Sequence, residues 1–256
     1  MTRKPPFRNR LRAFAPAMLG LVGSLLLSAS ALAAEGGNLQ QAGTDLDDQA
    51  SLQRGAALYM NYCSGCHSLQ FVRYSRLARD LDLTEEQVQA SLNFTGVKVG
   101  EQVHVALRPD DAQDWFGQVP PDLSLVSRVR GSDWIYTYLK SFYLDETRPL
   151  GWNNTLFPNA SMPNPLWEMQ GLQRAEYGEP DAIGERPVER LVLAQPGTLA
   201  PEAYDGAVRD ITTFLEYVGE PAALQRHSLG VWVILFLAFF TFLAWLLKKE
   251  YWRDVK

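Results

Sequence analysis

The stretch Asn61-Tyr62-Cys63-Ser64-Gly65-Cys66-His67 holds the only two cysteines of the 256-residue chain and one of its three histidines. Two thiols this close together suit few chemistries. A structural zinc site takes four ligands and requires a second pair of Cys or His at metal spacing, but the other histidines, His104 and His227, stand far apart and alone. A thioredoxin-like redox pair opens a helix after a strand in a βαβ pattern, and no such pattern precedes Cys63. What remains is covalent attachment of a c-type haem, with Cys63 and Cys66 bonded to the haem vinyl groups and His67 ligating the iron. If the motif lies on a helix, these three side chains share one face and meet a single haem edge. The alternative, two buried cysteines that merely adjoin a surface histidine, gains no support from the rest of the chain.

The N-terminus carries Arg3, Lys4, Arg8, Arg10 and Arg12, then an apolar run over residues 14–27 and a small-residue site ending Ala31-Leu32-Ala33. That order reads as a secretory signal peptide, residues 1–33, and Pro16 with the short apolar core argues against a retained anchor. The haem chemistry is then outside the cytoplasm. Thioethers consume both thiols, so no structural disulfide is expected. Residues 229–247 contain no charged side chain and one hydroxyl, Thr241. At ~1.5 Å per residue such a run just crosses a ~30 Å hydrocarbon core. Trp232 stands near its start; Trp245, Tyr251 and Trp252 cluster at its end, and Lys248, Lys249, Arg253 and Lys256 follow. Interfacial rings and a basic end predict one transmembrane helix in the inner membrane, with the tail, residues 248–256, in the cytoplasm and the haem domain in the periplasm.

Between these ends, residues 34–48 read as an extended polar linker, and residues 49–220 suffice for one domain with its own core. The patterning predicts a helix from Leu52 into the haem motif, one over residues 84–92 capped by Thr84, one from Ser132 or Asp133 to Phe142, and one over residues 204–218. The last sets Val208, Ile211, Leu215 and Val218 on one face, and Gly219 stops it. Residues 118–124, 145–165 and 178–201 are dense in Pro and Gly and read as loops. Loops that long need something to order them, and a covalently held apolar disc supplies such a surface.

A haem iron with a proximal histidine has a second axial position, whose occupant decides between electron transfer and chemistry on a bound ligand. Met1 and Met18 fall in the signal peptide. Met60 precedes His67 on the same helix and cannot reach the other haem face. His227 adjoins the membrane span, and His104 sits in a strand-like piece, residues 100–107. Met162, in Ser161-Met162-Pro163, and Met169, in Glu168-Met169-Gln170, remain. Pro163 fixes an extended chain that holds a thioether against a ring, which favours Met162. Met169 fits equally as a gap-filler beside Trp167, so it and a vacant or His-ligated position stay open as alternatives.

These residues, taken in order, resemble the cytochrome c1 family, the haem subunit of the quinol:cytochrome c oxidoreductase or bc1 complex. The likeness covers nearly the whole mature chain. It rests on Ser51-Leu52-Gln53-Arg54-Gly55-Ala56 before the haem motif, on Pro120-Pro121-Asp122-Leu123-Ser124 followed by Arg128 and Arg130, and on Phe157-Pro158 leading to Met162-Pro163. It continues in Tyr204-Asp205 and Ala207-Val208-Arg209-Asp210, through Gly219-Glu220-Pro221, into the C-terminal anchor. The resemblance implies a mainly α fold: a cytochrome c-like haem domain with long loops, plus the transmembrane helix. It implies one covalent haem c with Met162 as sixth ligand, Pro120 and Pro121 lining the haem edge, and Arg130, with Arg128, bonding a haem propionate. Guanidinium donors suit that role because they satisfy a carboxylate otherwise buried unpaired. The implied partners are cytochrome b and a Rieske iron-sulfur subunit in a dimeric complex, with a periplasmic c-type cytochrome as acceptor and no nucleic acid. The chain itself is then an electron carrier within an enzyme. Some family members carry a further structural cysteine pair, and this chain does not.

Two rival readings differ in kind. Another membrane-anchored monohaem cytochrome shares the chemistry but not the partners, and the segment 120–130 argues against it. A haem enzyme or gas sensor leaves an iron position open and binds carbon monoxide. The net charge of −5 arises despite basic ends. Acidic clusters stand at Asp45, Asp47 and Asp48, at Asp110, Asp111 and Asp114, and at Glu176, Glu179 and Asp181. Such clusters either steer a basic cytochrome or are simply solvated surface.

Overall fold

The computed structural model describes residues 39–180 and 186–254, the side chains of residues 227 and 228 excepted. The chain divides into two compact units, residues 1–39, of which only Leu39 is described, and residues 40–256, which hold all the described helices and strands. The expected signal peptide, the first residues of the expected linker and Asp181 lie outside the described residues, as does the side chain of His227.

The core is organised by two helices that cross closely, α1 (Gln49–Tyr62) and a late helix, Pro201–Gly219. Asp48 caps α1 by accepting the Ser51 N–H. Ser51, Leu52, Gly55, Ala56, Tyr59 and Met60 form the buried stripe of α1, at the three-and-four spacing a helix requires. Gly55 sits where the helices touch: a Cβ there would collide with the Asp210 carbonyl and press on Phe214. At the same crossing Asp210, itself buried, accepts from Ser51 Oγ at 2.6 Å and pairs with Arg54 at 2.6 Å. A buried carboxylate so satisfied fixes the register of the two helices.

Smaller elements close around this pair. Strand β1 (Leu69–Arg73) pairs antiparallel with β2 (Gln102–Val103), enclosing α2 (Tyr74–Asp80) and α3 (Glu85–Ser91). The capping box at Thr84 and Gln87 starts α3 where the sequence places its N-cap. Next come α4 (Pro109–Phe116), α5 (Val126–Arg130) and α6 (Ser132–Lys140). A four-stranded sheet follows, formed by β3 (Phe142–Leu144), β4 (Trp152–Asn154), β5 (Gly171–Tyr177) and β6 (Val188–Pro196) in the order β4-β3-β5-β6. Its β3–β5 pair is parallel and the others antiparallel. The short α7 (Trp167–Gln170) precedes β5, and α8 is the Pro201–Gly219 helix already described.

Three expectations are corrected. Segment 40–48 is not a free linker: Gln40 donates to Thr137 Oγ1, Ala42 to Asp133 Oδ1 and Thr44 to Glu216 Oε2, and Ala42 is buried. Two backbone N–H groups, the Thr44 hydroxyl and the small buried side chain of Ala42 hold it, and none of these leaves a mark in composition. The stretch 178–201 is not all loop, because β6 runs through it; that strand is exposed along most of its length and so lacks the alternation that marks a half-buried strand. The cysteine motif does not lie on a helix, since α1 ends at Tyr62 and residues 63–67 form a turn. In that turn the Cys66 and His67 N–H groups both donate to the Cys63 carbonyl.

The last element, α9 (Ala223–Tyr251), is 29 residues long, about 43 Å at 1.5 Å per residue. Among the described residues it is the one helix long and apolar enough to cross a membrane. Ala223 at its start is buried, whereas residues 229–247 are exposed, Gly230 only in part, and present apolar side chains all round. The result is a mainly α domain with one appended apolar helix.

Candidate haem site

A cavity of about 510 Å³ opens beside the cysteine turn, and it gathers Cys63, Cys66, His67, Pro120, Pro121, Arg130 and Met162 from four separate segments. Both thiols are free. Burial, with Cys66 adjacent, pushes the Cys63 thiol up to about 12, and burial raises Cys66 as well. Such thiols stay protonated at neutral pH, unlike the thiolate of a disulfide oxidoreductase. Among the described residues no group of three or more His, Cys, Asp or Glu side chains is gathered as a site for a metal ion.

His67 is held from behind. Its Nδ1 lies 2.7 Å from the Pro121 carbonyl oxygen. A carbonyl only accepts, so Nδ1 carries the proton and the lone pair of the neutral ring sits on Nε2. Burial lowers the His67 pKa, against the opposing pull of the Pro121 hydrogen bond and the Asp122 charge. A neutral imidazole with a fixed tautomer is the form a metal ligates. The backbone carbonyl of His67 in turn accepts from Tyr59 Oη at 2.8 Å, which ties the motif to α1.

The Pro120-Pro121 segment is sewn to β1. Asp122 accepts from the backbone N–H groups of Gln70 and Ser124, and Leu123 N–H donates to the Ser68 carbonyl. Because prolines fix φ, this loop presents the Pro121 carbonyl from a rigid base.

Met162 arrives on a loop fastened by asparagines. Asn154 Oδ1 accepts from the N–H groups of Leu156 and Phe157, and Asn153 Oδ1 accepts from Asn159 N–H. Asn159 adopts φ of 65°, a left-handed conformation that Asn tolerates, and Arg148 grips its side chain at 2.9 Å and its carbonyl at 3.2 Å. Beyond Met162, Asn164 Oδ1 accepts from Leu166 N–H. The Met162 side chain therefore reaches the cavity from a loop with little freedom.

Arg130 lines the cavity with its guanidinium 5.0 Å from the Trp134 ring centre and 5.9 Å from that of Phe157. Arg128 does not line it; its stem passes the end of α8 beside Gly219. Met169 is buried in the hydrophobic core and is absent from the cavity wall, and His104 is exposed, 3.0 Å from the Gln102 side chain. Trp134 and Tyr138 line the cavity without having been marked by the sequence, and Ile211 and Leu215, expected only on the apolar face of the 204–218 helix, line it as well. Trp134 and Tyr138 stand four apart on α6, a spacing that sets them on one helix face, whereas Gly131 breaks the chain between them and Arg130.

The donor set fits a c-type haem: two free thiols and an oriented imidazole share an apolar cavity with a thioether and a guanidinium. The sequence model of the Cytochrome C1 family matches residues 43–255. A protein named cytochrome c1 from Allochromatium vinosum is 54% identical over 235 residues, which cover 90% of this chain and 96% of that one. A protein named ammonia monooxygenase gamma subunit from Nitrosomonas europaea is 43% identical, with 85% of this chain and 88% of its own covered. A chain from a solved structure described as a hyperthermophilic respiratory Complex III aligns over 94% of this chain and 98% of its own at 16% identity and a TM-score of 0.41, a likeness too distant to argue from. The family match spans the cysteine turn, the proline loop, the methionine loop and the anchor together, and the chain belongs to the cytochrome c1 family.

Proposed function

We propose that this chain is the electron-transfer subunit of a quinol:cytochrome c oxidoreductase, carrying one covalently bound haem c between a Rieske iron-sulfur protein and a periplasmic c-type cytochrome. The observation that carries this reading is the single cavity shared by Cys63, Cys66, His67 and Met162 in a chain of this family. A haem bound there supplies a reversible one-electron couple, and thioether ligation places its potential high.

The residues divide the work of holding it. Cys63 and Cys66 are the covalent tethers. His67 offers Nε2 to the iron while the Pro121 carbonyl fixes its ring, and Met162 offers Sδ from its braced loop. Arg130, with its guanidinium over the Trp134 and Phe157 rings, is placed to pair with a propionate at low cost in side-chain entropy. Pro120, Ile135 and Leu215 supply apolar wall and keep water from the iron. At the mouth, Tyr62, Val119 and Phe157 remain exposed, so a partner can approach the haem edge without displacing buried structure. Helix α9 anchors the domain to the inner membrane, with the basic tail on the cytoplasmic side.

Purification of the full chain in mild detergent tests the assignment. A cytochrome b and a Rieske protein should co-purify in a dimeric complex with quinol:cytochrome c reductase activity. Recovery of the haem protein with neither companion, under conditions that preserve membrane complexes, would contradict the proposal.

A further inference from the structure

Tyr138 projects from α6 into the cavity, and its hydroxyl lies 3.5 Å from the Met162 sulfur, with the hydroxyl as donor. The contact is built rather than incidental. The Tyr138 ring stacks on Trp134 at 4.9 Å between centres with planes 11° apart, and meets the edge of Phe142 at 5.0 Å. Its backbone carbonyl accepts from Asn154 Nδ2 at 2.9 Å, the same Asn154 whose side-chain oxygen organises the start of the methionine loop. Donor and acceptor are thus referred to one asparagine.

A thioether sulfur has two lone pairs. We propose that Tyr138 is a positioning residue for the redox centre: its hydroxyl occupies one lone pair of Met162 Sδ, orients the other for the iron and withdraws electron density from the ligand. This rests on the reading of Met162 as the sixth ligand. A less electron-rich sulfur supports the ferric state less well than the ferrous one, so the hydrogen bond raises the reduction potential. It also limits rotation of a side chain that otherwise has three free torsions.

The test is Tyr138→Phe in the haem-loaded full chain, with Tyr136→Phe as control, since the Tyr136 hydroxyl faces Lys140 rather than the methionine. Phe keeps the ring stack and removes only the donor. One hydrogen bond of ordinary strength corresponds to about a fivefold change in an equilibrium constant, or a fall of ~40 mV at 59 mV per decade for one electron. Redox titration of Tyr138→Phe should show that fall, the sulfur-to-iron absorption band should persist, and Tyr136→Phe should show no shift. Met162→Leu, run in parallel, separates the two levels of the argument. If Met162→Leu leaves the band intact, the ligand assignment fails and this inference with it. If Met162→Leu abolishes the band while Tyr138→Phe keeps the unmodified potential or raises it, the ligand assignment stands and the inference is overturned. Thermal melting of Tyr138→Phe accompanies the titration, and a potential that falls only together with loss of the folded domain also overturns it.

Discussion

Pro121 contributes a carbonyl oxygen: at 2.7 Å it decides which nitrogen of His67 carries the proton and which is free for iron. Sequence reasoning reached Pro120 and Pro121 only through the family likeness, because a carbonyl's direction depends on how Asp122 ties the loop to β1, a contact more than 50 residues apart in the chain. Elimination among few donors favours Met162, and the structure sets Met162 on the cavity wall and Met169 in the core. The paired test follows. Met162→Leu should abolish the sulfur-to-iron band, lower the potential and leave the iron open to added ligands. Met169→Leu keeps volume in a buried site and should cost less than ~1.5 kcal/mol, without spectral change. Arg128 and Arg130 looked alike in sequence; α5 turns Arg130 to the cavity and Arg128 toward α8, so only Arg130→Gln should weaken haem retention.

At the scale of elements, the crossing of α1 and α8 is the joint on which the cavity stands, because α1 leads into the cysteine turn and α8 supplies Ile211 and Leu215 to the wall. Gly55→Ala drives a methyl into the Asp210 backbone, which cannot yield without parting the helices. The expected cost is about 3 kcal/mol or more, read as a fall in melting temperature and poorer haem retention. Both helices were legible in outline, from the apolar spacing of their residues, although α8 is buried nearly all round from Asp210 onward, polar side chains included. The sheet was not: β5 and β6 expose residues on both faces, and a strand without a buried face leaves no period in its sequence. Helix α9 is separable by the same reasoning. A stop before Leu229 keeps Leu224, which packs on the core, and the buried Ala223, and removes the span. That product should be exported, hold haem and remain soluble, with weakened association to partner subunits; a stop before Tyr204 should fail to fold. Spectra and gel filtration of the two products check this.

For the molecule as a whole, buried tyrosines set an alkaline limit. Tyr204 and Tyr217 are buried and hydrogen-bonded to Leu139 O and Asp80 Oδ2, and burial pushes both hydroxyls well above the ordinary tyrosine value. The folded state then holds protons that the unfolded chain releases near pH 10. This stabilising contribution is complete below about pH 10 and is lost as pH rises above it, by up to ~1.4 kcal/mol per pH unit for each group. Melting temperature against pH should be flat in this respect to about pH 10 and fall beyond, and Tyr217→Phe should fall less steeply. The central claim at this scale is a closed redox centre, with both axial positions of the iron filled by the chain. Carbon monoxide added to the reduced, folded full-length protein tests it most directly. With His67 and Met162 both ligated, the spectrum should be unchanged by the gas; a stoichiometric carbon monoxide adduct of the unmodified protein would contradict the account.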